Sequence, residues 1–314
     1  MEREIIQNEK MAAVIRNVEK IIIGKRSSIE LLLVAMLTGG HVLIEDVPGV
    51  GKTQLVSSIA HSCSGKFNRL QLTPDVMPSD ITGFNMIHPV TRETEFRPGA
   101  VFCNFLLADE INRSSPKTQS ALLEIMEEGQ LSIEGVTYQL PKPFMVLATQ
   151  NPVETYGTYH LPEAQMDRFL LRISMGYPEK KDEMSILLRD VTAVPENLSP
   201  VINGEEIEQL KAQALEVACH ERIAEYIVHI AEETRDSEFI RLGASPRASL
   251  ALYRAAKAYA LLSGRSYVLP DDVKFLAPYV LSHRILLSPK GKSVMETPEN
   301  ALDQVLRTVA VPTI

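Results

Sequence analysis

The 314-residue chain reads as an α/β protein: a parallel five-stranded sheet flanked by helices, followed by a small all-α domain. Three observations predict this. Apolar runs of strand length, at 42–45, 102–108 and 144–148, lack alternation, which suits parallel strands covered on both faces. Helical periodicity separates the runs, as βα units require. Beyond about Gly176, after breaks at Pro178, Pro195, Pro200 and Gly204, only helical patterns follow.

The elements follow in order. Residues 11–37 are helical, with an interruption near Ile23, Gly24 and Lys25. The run 42–45 is a strand, 53–62 a helix and 67–72 a second strand. Residues 74–100 are rich in Pro and Gly and alternate around Phe84-Asn85-Met86-Ile87 and Thr94-Glu95-Phe96, which predicts an inserted hairpin. The run 102–108 is a strand, and 117–128 a helix with apolar Leu122, Leu123, Ile125 and Met126. Alternation about Glu134-Gly135 marks a hairpin over 131–140, and strands close the sheet at 144–148 and 170–174. In the C-terminal part Ile223, Tyr226, Ile227 and Ile230 share one helical face. Ser245-Pro246 pairs an N-cap with a first-turn proline, opening a helix to Leu262. Further helices are expected over 271–281 and near Leu302. The expected division is an α/β domain over 1–180, a linker over 181–200 and a helical domain over 201–314.

Composition narrows the function classes. An apolar share of 45% and a charged share of 23% are those of a globular protein. The net charge of −8 argues against a broad duplex-binding face, which needs clustered Lys and Arg. Cys63, Cys103 and Cys219 are far apart and form no C-x-x-C pair, so they read as small buried apolar residues in a reducing compartment. The polar start MEREIIQNEK is unlike a signal peptide, and no apolar run approaches the roughly 20 residues that span a bilayer. A cytoplasmic protein is expected.

The chemistry is concentrated at strand ends. Strand 42–45 runs into Asp46-Val47-Pro48-Gly49-Val50-Gly51-Lys52-Thr53-Gln54, a Gly-containing loop that opens a helix. Backbone N–H groups of such a loop can surround an oligophosphate; Lys52 adds a point charge and the Thr53 hydroxyl can hold Mg²⁺. The usual motif begins with Gly, and here that place holds Asp46. Another apolar strand ends in Asp109 and Glu110, and strand ends in an open parallel sheet converge on one crevice. Asp109 can thus reach the same Mg²⁺, and Glu110 can serve as general base toward an attacking water. A third strand ends at Thr149-Gln150-Asn151-Pro152, where the Asn151 amide can donate to the γ-phosphate or orient that water. Arg168 is a candidate cation for the γ-phosphate of a neighbouring subunit. Arg247, at the start of the helix after Ser245-Pro246, is a second, expected to serve the nucleotide of its own chain. The ordinary readings, a surface ion pair for Arg168 and a helix-start arginine for Arg247, stand beside these.

In this order the motifs Gly-Val-Gly-Lys-Thr, Leu-Leu-Ala-Asp-Glu-Ile-Asn-Arg, Ala-Thr-Gln-Asn-Pro, Glu-Ala-Gln-Met-Asp-Arg-Phe and Ser-Pro-Arg resemble the MoxR family of AAA+ ATPases, over about residues 11–285. The resemblance implies an AAA+ sheet domain with a helical lid, and hydrolysis of ATP with Mg²⁺. It implies a homo-oligomeric ring, expected to be a hexamer, that remodels or matures a protein, often with a von Willebrand A-type partner. By the same resemblance Lys52 and Thr53 end the Walker A loop, Asp109 and Glu110 are the Walker B pair and Asn151 is sensor 1. Arg168 matches the trans arginine finger, with Arg113 or Arg172 as alternatives, and Arg247 matches sensor 2. Ile23 and Gly24 match the segment that lines the adenine site. The hairpins near 83–97 and over 131–140 match insertions that face a channel or client in related rings. Alternatives are a metal-chelatase ATPase subunit, a nucleic-acid-stimulated motor, which the acidic balance disfavours, and a non-enzymatic nucleotide-gated scaffold.

Overall fold

A computed structural model describes residues 8–90, 92–151, 158–159, 161–188 and 194–313. Pro152 of the third strand-end motif and 189–193 of the expected linker lie outside the described residues, as does most of the polar N-terminal start.

Helices α1 (Glu9–Glu19) and α2 (Arg26–Thr38) precede β1 (Val42–Glu45), α3 (Lys52–Ser62) and β2 (Phe67–Gln71). A short α4 (Pro78–Thr82), unsignalled in the sequence, leads into the hairpin of β3 (Gly83–Ile87) and β4 (Thr94–Pro98). Next come β5 (Phe105–Asp109), α5 (Pro116–Glu128) and a second hairpin of β6 (Gln130–Ile133) and β7 (Val136–Gln139). Strand β8 (Met145–Gln150), the single turn α6 (Glu163–Met166) and β9 (Leu171–Ile173) complete the α/β part. The chain continues through α7 (Lys180–Leu187), α8 (Gly204–Glu216), α9 (Glu221–Asp236), β10 (Ile240–Leu242), α10 (Pro246–Leu262), α11 (Pro270–Leu281), β11 (Leu286–Leu287), α12 (Pro289–Val294) and α13 (Pro298–Thr308). The expectation of helices only after Gly176 needs one correction: β10 and β11 pair antiparallel as a two-stranded ribbon. These strands have three and two residues, too few for a periodicity to be legible.

The sheet order is β2-β5-β8-β1-β9, and every pair within it is parallel. Successive side chains of a strand point to opposite faces. Val42 and Ile44, Phe105 and Leu107, and Met145 and Leu147 therefore join one core with α1, α2 and α3, while Leu43, Leu106, Ala108, Val146 and Ala148 join another with α5. The first core runs on without a break into Leu210, Leu252 and Leu276 of α8, α10 and α11, so no gap between cores marks the expected domain division. All five strands point their C-terminal ends the same way, and at that edge Glu45 of β1 stands in register with Gln150 of β8. The two inserted hairpins meet through Phe96 stacked on Tyr138 at 4.2 Å between ring centroids, and through Asn85 donating to Glu134 at 2.8 Å.

Candidate active site

The loop from Asp46 to Gly51 joins β1 to α3, and Gly51 caps the helix in a left-handed conformation without any side-chain cap. The first N–H groups of α3 are thus left for an anion, as helix N-termini allow. Gly49 and Gly51 have φ of +88° and +89°, and nothing lies within 4 Å of where a Cβ on either would stand. A phosphate chain can therefore approach the backbone directly at both. Lys52 Nζ donates to the carbonyls of Asp46 at 3.0 Å and Val47 at 3.4 Å, which holds its ammonium over the loop. Val50 packs inward against the first core and anchors the loop from below.

Asp46 fills the motif's first position for a reason the sequence did not reveal. Its buried carboxylate accepts from Ser174 Oγ at 2.8 Å, Met175 N at 2.5 Å and Gly176 N at 3.1 Å, just beyond β9. The acid is used up in anchoring the loop to the far strand, so it leaves the N–H cradle open. Met175 links two parts of the expected nucleotide site, because its carbonyl accepts from Lys25 Nζ at 2.6 Å while its N–H serves Asp46. Ile23 and Gly24 stand beside this link rather than in the phosphate cleft. Gly24 has φ +72°, and the Asp182 carboxylate of α7 sits where its Cβ would be.

A cleft of about 440 Å³ brings the strand ends together, lined by Pro48, Gly49, Gly51, Lys52, Thr53 and Gln54 from the loop and Asp109, Glu110 and Asn151 opposite. Asp109 Oδ1 accepts from Thr149 Oγ1 at 2.6 Å, and Oδ2 accepts from Arg69 Nη2 at 2.6 Å. Glu110 follows in a left-handed conformation (φ +58°), with its N–H donating to Thr149 Oγ1 at 2.8 Å. Its carboxylate accepts from Gln71 Nε2 at 2.7 Å and Arg113 Nη1 at 3.2 Å. Asn151 is buried directly after β8. Among the described residues no group of three or more His, Cys, Asp or Glu could hold a metal. A magnesium ion taking one hydroxyl, one carboxylate and oxygens of a bound triphosphate needs no such group, and Thr53 and Asp109 in one cleft fit that set.

Arg69, Gln71 and Thr149 also line this cleft and were missed in the sequence. Arg69 and Gln71 sit on β2, whose mixed polar pattern gives no sign that it borders a site. Thr149 lies within the third strand-end motif, and nothing local marks its hydroxyl as the one shared by Asp109 and Glu110.

The arginines lie elsewhere. Arg168 donates to the Leu123 carbonyl at 2.7 Å and pairs with Glu127 at 3.2 Å; Arg247 pairs with the same Glu127 at 3.3 Å. Both line a second cleft, of about 320 Å³, with Gly39, Gly40 and His41. Those three residues enter β1 at its N-terminal end, whereas the phosphate loop leaves it at the C-terminal end, about 13 Å away for four residues at ~3.3 Å each. Arg247, expected to serve the nucleotide of its own chain, lines this second cleft with Arg168 and not the phosphate cleft. Of the alternatives, Arg113 is paired with Glu110, which lines the phosphate cleft, without lining it itself. Arg172 ties β9 to Glu45 at 3.3 Å and to Glu299 of α13, which makes it a strut between sheet and lid.

Comparison with known proteins agrees with this layout. Residues 41–171 match the family described as ATPase family associated with various cellular activities (AAA), and residues 232–305 the AAA lid domain. The chain is 42% identical to Chaperone MoxR1 of Mycobacterium tuberculosis, over 95% of this chain and 81% of that protein. It is 32% identical to Protein MoxR of Paracoccus denitrificans, over 93% of each. A crystal structure of a protein from Cytophaga hutchinsonii superposes with a TM-score of 0.90 at 38% identity, covering 97% of this chain and 95% of that one. With a phosphate loop, an acidic strand end and a helical lid in this arrangement, the chain belongs to the MoxR family of AAA+ ATPases.

Proposed function

We propose that this ATPase works as one subunit of a homo-oligomeric ring, expected to be a hexamer, that spends ATP to remodel or mature a partner protein. The observation that carries this reading is the separation of the phosphate cleft from the Arg168–Arg247 cleft by the length of β1. Neither arginine lines the phosphate cleft of its own chain, which supports a site completed by a second copy. Such a cation stabilises charge on the transferring phosphoryl group and is worth a factor of about 10³–10⁵ in turnover.

Within one chain the loop N–H groups and Lys52 bind and orient the triphosphate. Glu110 takes the proton of the attacking water, and Asn151 donates to the γ-phosphate or positions that water. Magnesium, when held by Thr53 and Asp109, would neutralise phosphate charge. A protein client and a von Willebrand A-type partner rest on the resemblance to MoxR proteins, and the chaperone role also on the name of the mycobacterial relative. Free Cys63, Cys103 and Cys219 accord with work in the cytoplasm.

The test is complementation in trans. Arg168→Ala and Lys52→Ala should each hydrolyse ATP poorly. Mixed, they should recover activity, because an intact phosphate loop in one copy can sit beside an intact Arg168 in the next. No recovery at any ratio, with mixed assemblies verified by differently tagged subunits, would overturn the reading.

A further inference from the structure

The cleft that holds Arg168 and Arg247 contains more positive charge than these two account for. On α10, Arg247, Leu250, Ala251 and Arg254 follow at helical spacing and line the cleft together. Arg284 lies there too, but Asp167 accepts from its Nε at 2.6 Å and its remaining N–H groups serve carbonyls. Glu127 is taken by Arg168 and Arg247. Arg254 is exposed, and among the described residues its guanidinium has no hydrogen bond and no ion pair. Four guanidiniums thus share a cleft whose two carboxylates are already engaged. Four guanidiniums against two carboxylates leave the cleft net positive, which disfavours the isolated chain, and an anion entering the cleft offsets that excess.

We infer that Arg254 is a nucleotide-binding residue that contacts the triphosphate held by a second copy of this chain, alongside Arg168 and Arg247. The inference rests on the ring reading above. Arg254 stands two helical turns beyond Arg247, about 10 Å along α10 at 1.5 Å per residue. It therefore meets phosphates other than the transferred one, and its contact is equally strong before and during the chemical step. A contact of that kind lowers KM and leaves kcat alone, whereas Arg168 acts on kcat.

The experiment uses Arg254→Met, which keeps the alkyl stem and removes the charge, with Arg254→Gln as a second variant should the first lower the melting temperature. The expected result is a KM for ATP raised about tenfold, the scale of one lost charged contact, with kcat within about twofold of the wild type. Arg254→Lys should return part of the loss. Mixing Arg254→Met with Lys52→Ala should bring the KM back toward the wild-type value, since each intact phosphate loop can then face an intact Arg254. An unchanged KM would overturn the inference, as would a raised KM that mixing leaves unmoved. If Arg168→Ala still recovers in trans while Arg254→Met does not, the ring reading stands and only the role of Arg254 falls. If neither recovers, both fall.

Discussion

Gln71 Nε2 donates to Glu110 Oε2 at 2.7 Å, so β2 steadies the carboxylate proposed to activate the water. This bond makes Glu110→Gln a clean substitution. The amide oxygen that replaces the carboxylate can still accept from Gln71, while the base is gone. General-base catalysis contributes a factor of about 10²–10⁴. Hydrolysis should fall by at least about 100-fold, with ATP binding and melting temperature close to the wild type. Steady-state turnover and nucleotide binding on the same preparation check this, and undiminished turnover would remove Glu110 from the mechanism.

The central strands were legible in the sequence because burial on both faces imposes continuous apolar runs, as at β5 and β8. The phosphate loop, Asp109, Glu110 and Asn151 were legible because each lies at the end of such a run. The edge strand β2 alternates between half-buried and exposed positions, and that pattern conceals the contacts of Arg69 and Gln71 with the acidic pair. The placement of Arg247 was not legible at all. It depends on how α10 packs against α2, α8 and α11, a long-range fact that no local spacing records.

The anchoring of the phosphate loop by Asp46 predicts that Asp46→Ala acts on stability and binding together. The substitution leaves Met175 N–H, a buried donor, and the Ser174 hydroxyl without their acceptor. An unsatisfied buried donor costs about 1–3 kcal/mol. Thermal unfolding should show a loss of that order, and nucleotide affinity should drop because the loop loses its tie to β9. Asp46→Asn, which keeps an acceptor oxygen, should lose less of both. Equal stability for all three proteins would show that the tie is not a support.

Gly24 carries two separable constraints. Its φ of +72° is disfavoured for any residue with a Cβ, and the Asp182 carboxylate occupies the Cβ position. Gly24→Ala should cost about 1–2 kcal/mol from the backbone alone, with a further part from the clash. Adding Asp182→Ala should return the steric part and leave the backbone part. The double-mutant cycle, read by denaturant unfolding, checks this through its coupling energy; strict additivity would mean that Asp182 simply swings aside. If the turn at Ile23 and Gly24 also lines the adenine site, ATP affinity in Gly24→Ala should fall by more than GTP affinity.

Acid should destabilise the protein through His41. The ring is buried where β1 begins, accepts from Val146 N–H through Nδ1 at 2.9 Å and lies 2.8 Å from the Met126 carbonyl through Nε2. This pair of contacts defines the neutral form with the proton on Nε2. Burial, assisted by nearby Lys211, lowers its pKa from 6.5 to about 4. His283, buried against Arg284, is shifted the same way. The unfolded chain therefore takes up protons on these rings at a higher pH than the folded chain does. Stability is complete above pH 6.5 and falls as pH drops from there toward 4. The shift at His41 is worth about 3 kcal/mol across that window. Glu45 works in the opposite sense, because burial raises its pKa and so favours the folded state as acid is added; Arg172 opposes that shift. Denaturant melts between pH 7.5 and 4.5 should show the net loss, and His41→Gln, which has no titrating ring, should flatten the profile even if it lowers stability at neutral pH. A parallel pH profile in the variant would rule out His41 as the source. Protonation adds an N–H at Nδ1 that faces the Val146 N–H, while the Nε2–H still serves the Met126 carbonyl, so the disturbance falls on the junction of β1 and β8.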